Sequence, residues 1–250
     1  MSRSLLAFLL FCLALVLASG ALIWHVGPTL AGLVVDQERR SSPYHLLRIV
    51  APGADAAPVP DDDAGGGTLR ARLLSLAAED DGRLVWQGGG AELIEGPARL
   101  DGAALQLLSF ASGAGVVQFF TSSGYRALEA GRGDATGRYL GTPVGPQTLA
   151  TGRPSVIVLY RQKPGSVDAP LGAPGDAGWL ALAPRHGGEL RWAAPLALLR
   201  GQGPWDRLLM LQFPDRGAAR AWLNDPATVT ERALAGRHVD DVVVLLAYPV

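Results

Sequence analysis

Cysteine is almost absent from this chain of 250 residues, which contains one, Cys12, inside its first apolar run. The remainder of the chain therefore forms no internal disulfide and offers neither a thiolate nucleophile nor a cysteine metal cluster. Hydrophobic residues make up 48% of the sequence, which is enough to build one large domain or two small ones. We expect a globular region that depends on its apolar core.

Excess charge of either sign is also lacking. Lysine and arginine together number 22 and the acidic residues 23, which gives a net charge of -1, and the basic residues occur singly rather than in clusters. Nucleic-acid binding depends on a positive field that neutralises phosphates. We therefore exclude nucleic acid as a partner.

One long uncharged segment stands at the N-terminus. A helix from Leu5 to Val26 would reach the roughly 20 residues that cross a bilayer, and Arg3 precedes it. The cationic end is expected to stay inside, so the rest of the chain would lie outside the cytoplasm. The sequence thus predicts that residues 1–40 form a signal anchor and juxtamembrane stretch, in contact with the lipid bilayer of a bacterial inner membrane, with a periplasmic C-terminal region.

A cleaved signal peptide is the alternative for this segment. The run ends in small residues, Ala18, Ser19 and Gly20, of the type that a signal peptidase accepts. Cleavage there would leave the apolar stretches 21–24 and 30–35 as a new terminus, which favours the retained anchor. Both alternatives export the rest of the chain.

The following residues alternate between strand-like and helix-like patterns, in an order that occurs twice. The first set predicts strands over residues 44–50, 83–95, 105–111 and 138–144 and helices over 68–78 and 115–130. The second set predicts strands over residues 156–161, 189–199, 208–213 and 242–248 and helices over 177–183 and 218–234. The glycines at 88–90 predict a bend or bulge within their strand.

Local matches support an internal duplication. Residues 82–86 (GRLVW) match 188–192 (GELRW), and 107–110 (LLSF) match 210–213 (MLQF). The sequence thus predicts an α+β fold of two tandem ferredoxin-like βαββαβ units, residues 41–146 and 147–250. Each unit leaves one apolar sheet face open, and the other copy can cover it. We expect the two sheets to form an internal pseudo-dimer, in which a cavity could lie between them.

These stretches resemble an uncharacterised family of the dimeric α+β barrel superfamily, the domain of unknown function numbered thirteen-thirty. The resemblance is carried in the first half by residues 82–89, 95–96, 105–110 and 119–128, and in the second by 208–214 and 218–226. It implies a dimeric barrel, here made by one chain. It brings no activity, although relatives in the superfamily include cofactor-free monooxygenases and haem enzymes. The second half departs from the pattern at Thr228, which stands where Tyr125 has its aromatic ring.

Five residues are candidates for ligand binding. Trp86 and Trp192 occupy equivalent strand positions, where they either line one cavity or fill two cores. Glu95 and Arg200 each precede a glycine late in matching strands and could face each other. His186, before two glycines at the start of a strand, is the best of four histidines for a general base. The histidines lack metal-ligand spacing, and we expect no metal or other cofactor.

Because no convergent catalytic set stands out, the sequence favours a membrane-anchored module without catalysis that binds a small molecule or an envelope protein. The alternative is an oxygenase-like or isomerase-like enzyme of the barrel superfamily, acting in a cavity between the sheets. A purely structural envelope protein is a third reading.

Overall fold

A computed structural model of the chain describes residues 42–52, 54, 58–59, 67–132, 137–166 and 178–249. The predicted anchor, from residue 5 to residue 26, and the whole predicted segment 1–40 lie outside these residues. In the part of the chain that is described, no helix is both long enough and apolar enough to cross a membrane.

The first half of the described chain contains six strands and three helices, with a short 3₁₀ turn at Ala98–Leu100. The strands are β1 (Tyr44–Val50), β2 (Pro58–Val59), β3 (Gly67–Thr68), β4 (Gly82–Glu95), β5 (Ala103–Phe110) and β6 (Arg138–Thr142). The helices are α1 (Leu69–Glu79), α2 (Gly113–Thr121) and α3 (Ser123–Arg132).

The second half contains five strands and two α-helices, preceded by a 3₁₀ helix at Trp179–His186. The strands are β7 (Ser155–Gln162), β8 (Glu189–Pro195), β9 (Ala197–Arg200), β10 (Arg207–Gln212) and β11 (Val239–Pro249). The helices are α4 (Arg216–Asn224) and α5 (Pro226–Ala235).

Nine strands form one curled antiparallel sheet in the order β8-β10-β7-β11-β4-β5-β1-β6-β9. The outermost strands β8 and β9 are separated along the chain by Leu196 alone, so the two ends of the sheet meet through one residue. The same pairing occurs in each half: β1 lies between β5 and β6, and β7 lies between β10 and β11. The long strand β4 pairs with β5 along its first part and with β11 along its last part. In the second half β8 and β9 together take the corresponding place, because β8 pairs with β10 and β9 pairs with β6.

The apolar core lies on both sides of the sheet because alternate residues of a strand face opposite sides. It has three parts, one on the inner side and two on the outer side. One cluster fills the interior of the curled sheet and draws on both halves, with Leu47, Leu107, Ile157 and Met210 among its members. The other two lie outside, one beneath α1, α2 and α3 and the other beneath α4 and the 3₁₀ helix. We call the first the interior cluster.

Several predicted elements are confirmed. Strand β1 has the predicted bounds, and α1 begins where expected because the Thr68 hydroxyl accepts from the backbone N–H of Ala71 at 3.3 Å. The pairing of β4 with β5 shifts register between Gly88 and Ala91, which confirms the bulge predicted from the glycines.

Three predicted elements are divided in the structure. The helix predicted over residues 115–130 is two helices, α2 and α3, which meet at Ser122. The helix predicted over 218–234 is α4 and α5, since Pro226 cannot continue a helix and Asp225 before it is extended. The strand predicted over 189–199 is β8 and β9. The weak helix predicted over 177–183 is the 3₁₀ helix.

Candidate functional site

The interior cluster is the apolar core to which the two halves contribute most evenly, whereas one outer cluster takes only Leu199 from the second half and the other packs only Ile94 from the first. It contains three tryptophans: Trp86 on β4, Trp192 on β8 and Trp205 in the connection between β9 and β10. Trp86 and Trp192, which the sequence places at equivalent positions, therefore share one interior rather than filling two cores. Phe110 and Phe213 pack in the two outer clusters instead.

The three indole N–H groups of the interior differ in their partners. Trp192 Nε1 donates to the carbonyl oxygen of Val144 at 2.7 Å, and Trp205 Nε1 donates to that of Asp241 at 2.7 Å. Trp86 Nε1 is buried and has no hydrogen-bond acceptor among the described residues. Because a buried N–H without a partner costs about 1–3 kcal/mol, this donor is a candidate contact for a ligand.

Gly88 fixes the place of the Trp86 ring. A Cβ at this position would stand 2.7 Å from Trp86 Cη2 and 2.8 Å from the Cβ of Ala247. Only glycine allows the indole and β11 to approach so closely. The glycine run that the sequence singled out thus shapes the interior beside Trp86.

His45 is a second polar residue on the interior side of the sheet. Its neighbours in β1, Tyr44 and Leu46, pack in the outer cluster, so His45 shares the opposite face with Leu47. Its ring lies edge-on to Trp192, with the centroids 6.3 Å apart. Its Nδ1 is buried without a hydrogen-bond partner among the described residues.

Burial lowers the pKa of His45 below its ordinary value of 6.5, and the positive charge of Arg83 lowers it further. The ring is therefore neutral at pH 7, and one of its nitrogens is free of a proton. A neutral imidazole in an apolar surrounding can take a proton from a substrate.

His186, the histidine that the sequence favoured, lies elsewhere. It ends the 3₁₀ helix on the outside of the sheet, where its Nε2 is 2.9 Å from Asp225 Oδ2. Asp225 also accepts from the backbone N–H of Ala227 and so caps α5. The hydrogen bond with His186 is the main cause that lowers the pKa of Asp225. This pair joins the 3₁₀ helix to α5 and is separate from the interior.

Glu95 and Arg200 each contact a helix of the opposite half rather than each other. Glu95 Oε2 lies 3.6 Å from Arg232 Nε on α5, and Arg200 Nε lies 3.7 Å from Glu129 Oε1 on α3. Arg200 also covers the ring of Phe120, with its guanidinium carbon 5.5 Å from the ring centroid. The structure thus brings together two of the five predicted residues, Trp86 and Trp192. A ligand-binding role for the five remains a prediction.

Sequence reasoning missed His45 as a site residue. Its signal was the alternation of β1, because a histidine between Tyr44 and Leu46 must face away from them. That alternation does not show which face is the interior, so the signal was incomplete. In the described part of the chain, no three side chains of histidine, cysteine, aspartate or glutamate gather as they would around a metal ion.

Comparison with known proteins yields likeness of fold alone. No protein-family model matches the chain, and no curated protein sequence does. One similar crystal structure is an anthrone oxidase-like protein, with 14% identity and a TM-score of 0.49 over 84% of this chain and 92% of that one. Another is a candidate monooxygenase from Lactobacillus acidophilus, with 9% identity and a TM-score of 0.41 over 82% and 93%. A candidate chlorite dismutase has 11% identity and a TM-score of 0.40 over 84% and 95%.

This chain resembles these neighbours in its α+β fold with a curled antiparallel sheet. This comparison contradicts the expectation of a module without catalysis. The neighbours carry the names of enzymes: an oxidase-like protein, monooxygenases and chlorite dismutases. Those names describe the neighbours. The activity of this chain must be argued from its own residues.

Proposed function

We propose that this chain is an enzyme of the oxygenase or isomerase type, acting on an apolar substrate inside the curled sheet. The observation that carries the proposal is the pair of buried polar atoms, Trp86 Nε1 and His45 Nδ1, that have no partner in the described structure. Both belong to side chains on the interior face, which is mostly apolar and also carries the buried polar residues Ser109, Thr142, Ser155 and Gln212. A substrate that forms hydrogen bonds with both atoms would satisfy them.

The architecture that supports this proposal is a barrel made by one chain. We interpret the strand pairing that occurs in each half as two ferredoxin-like units, residues 41–146 and 147–250, that arose by duplication. The resemblance to the domain-of-unknown-function family numbered thirteen-thirty is part of the same proposal. Two such units would enclose within one chain the interior that dimeric α+β barrel proteins form from two.

The chemistry follows from the character of the two groups. His45, held neutral by burial, would accept a proton from a C–H group beside a carbonyl. The N–H of Trp86 would donate to the carbonyl oxygen as negative charge develops there. The apolar surroundings strengthen that hydrogen bond. Return of the proton to a different carbon is an isomerisation, and reaction of the carbanion with O₂ is an oxygenation.

The lining defines the class of substrate. Tryptophans and aliphatic side chains suit a flat apolar molecule, and the N–H of Trp86 requires one acceptor oxygen on it. An aromatic ketone with an acidic C–H group has these properties. Anthrone is a practical probe, because its oxidation by O₂ gives anthraquinone and water.

The test is O₂ consumption and anthraquinone formation by the purified chain. Trp86→Phe keeps the ring but removes the donor, so we expect a rate lower by about 10²–10³-fold. Trp179→Phe is the matched control: the indole of Trp179 is equally buried, yet it stacks on Trp222 in an outer cluster. We expect this control to keep the parent rate.

His45→Gln tests the base. We expect a rate lower by about 10²–10⁴-fold, together with loss of deuterium exchange at the acidic carbon in heavy water. Equal rates for the parent and both interior variants would refute the assignment of the site. Failure of anthrone and of a panel of apolar ketones to raise the Tm would refute binding in the interior.

The cellular location is a separate proposal that rests on the sequence alone. Residues 5–26 would hold the chain in a bacterial inner membrane, with the enzyme on the periplasmic side. A single anchor would be sufficient because the barrel needs no second chain.

A further inference from the structure

Two ion pairs join the halves at positions that the fold makes equivalent. Glu95 lies opposite Val244 on β11, and Arg200 lies opposite Tyr139 on β6. Tyr139 and Val244 are themselves equivalent positions, because Tyr139 pairs with β1 in the first half and Val244 pairs with β7 in the second half. The ends of β4 and β9 therefore correspond.

Their helix partners correspond as well. Glu129 is the seventh residue of α3, which begins at Ser123, and Arg232 is the seventh residue of α5, which begins at Pro226. The two contacts, Glu95 with Arg232 at 3.6 Å and Arg200 with Glu129 at 3.7 Å, are thus the same contact made twice. The charges are reversed between them.

In both pairs the first half supplies the carboxylate and the second half supplies the guanidinium. A third set of cross-half contacts has the same polarity. Glu92 on β4 accepts from Arg220 on α4 at 2.7 Å, and Arg216 approaches the same carboxylate at 3.4 Å. Bonds to Arg220 are the main cause that lowers the pKa of Glu92. Among the described residues, every ion pair between the halves has its acid on β4 or α3.

This distribution discriminates between partners. If the first halves of two chains were to associate in the same geometry, Glu95 would face Glu129 at both equivalent sites. If the second halves did so, Arg200 would face Arg232. Like charges in these places repel, whereas the pairing of unlike halves gains two attractive contacts.

We infer that these charges determine which halves pair. They make each half the specific partner of the other half and oppose association of like halves between copies of the chain. Duplication supplies two surfaces that can each pair with themselves. The separation of acids into one half and arginines into the other removes that ambiguity and favours closure within a single chain.

The test compares two double variants of the full chain that share one substitution and the same net charge. In E129R/R200E the contact between α3 and β9 is reversed but remains attractive, and the contact of Glu95 with Arg232 is unchanged. In E129R/R232E both contacts of unlike halves become repulsive, while both contacts of like halves become attractive. We call these the matched and the crossed variant.

We expect the matched variant to remain a monomer with nearly the parent Tm. The crossed variant should have a Tm lower by about 4 °C and should show concentration-dependent dimers in sedimentation velocity and native mass spectrometry. A Tm and association state equal to those of the matched variant would overturn the inference.

A further variant guards against simple loss of folding. E95R/E129R/R200E/R232E reverses both contacts and makes each of them attractive again. We expect it to recover the Tm and the monomeric state that the crossed variant loses. If the matched variant is stable but this variant does not recover the parent Tm and monomeric state, the substitutions act through their positions and not through charge pairing. That result would overturn the inference.

Discussion

Trp192 donates its indole N–H to the carbonyl oxygen of Val144 at 2.7 Å, and the matching residue of β4, Trp86, has no such acceptor in the described structure. Val144 lies in the connection from β6 to β7. That connection also covers the outer edge of β8, where the N–H of Gln147 donates to the carbonyl of Arg191 at 2.8 Å.

In the described part of the chain no loop hydrogen bond of this kind reaches the corresponding residues of β4, and β11 pairs with β4 only from Gly88 onward. Exposure does not distinguish the two edges, because Leu84 is 39% exposed and its counterpart Leu190 is 38% exposed. The two ends of the interior are therefore unlike, and in our proposal the end beside Trp86 is the one through which substrate enters.

The first prediction compares the two tryptophans. Replacement of either by phenylalanine removes the same atoms, but Trp192→Phe also breaks a hydrogen bond, which contributes about 1 kcal/mol. We expect Trp192→Phe to lower the free energy of unfolding by about 1 kcal/mol more than Trp86→Phe. Urea unfolding of both variants measures the difference, and the reverse order would contradict the assignment of partners.

The second prediction concerns Gly88. Gly88→Ala would place a methyl group within 2.7 Å of the Trp86 ring, so the ring or β11 must move. We expect a loss of about 1–3 kcal/mol in the free energy of unfolding, as for other overpacked sites. Gly217→Ala is the control, because its Cβ would meet only Asp215 Oδ1 at 3.1 Å within the first turn of α4. That variant should be as stable as the parent or slightly more so.

The third prediction is a pH dependence. In the folded protein burial lowers the pKa of His45 below 6.5, so the unfolded chain binds its proton more readily as the pH falls. The stability associated with the neutral ring is thus fully present above pH 6.5 and is lost as the pH falls through and below that value.

We expect His45→Gln to reduce the dependence of the free energy of unfolding on pH between about 7 and 5. His238→Gln is the control, because this side chain is exposed immediately before β11. A difference in the free energy of unfolding between the parent and His45→Gln that stays constant across this range would show that burial does not lower the pKa of His45.

The fourth prediction concerns the N-terminal segment. The full chain should remain in the membrane fraction after an alkaline wash, and a variant that lacks residues 5–26 should not. The mass of the extracted protein decides between the two readings of this segment. Loss of residues 1–20 would show that the signal is cleaved and that the anchor prediction is wrong.

Local rules account for much of the fold. The alternation of β1, the threonine cap of α1 and the glycine bulge of β4 each depend on a few adjacent residues, and each was predictable. The break before Pro226 was equally local and should have been predicted, since proline excludes the helical conformation from the residue that precedes it. The break at Ser122 has no comparable signal, because serine both caps helices and occurs within them.

The sequence by itself determined the element order, its repetition along the chain and the apolar character of the strands. Only the tertiary structure decided that Trp86 and Trp192 share one interior, that His45 faces it, and that Glu95 and Arg200 each pair with a helix of the other half. The reason is physical. Strand and helix patterns arise from neighbours along the chain, whereas the partner of a side chain depends on how the sheet curls and which distant elements it brings together.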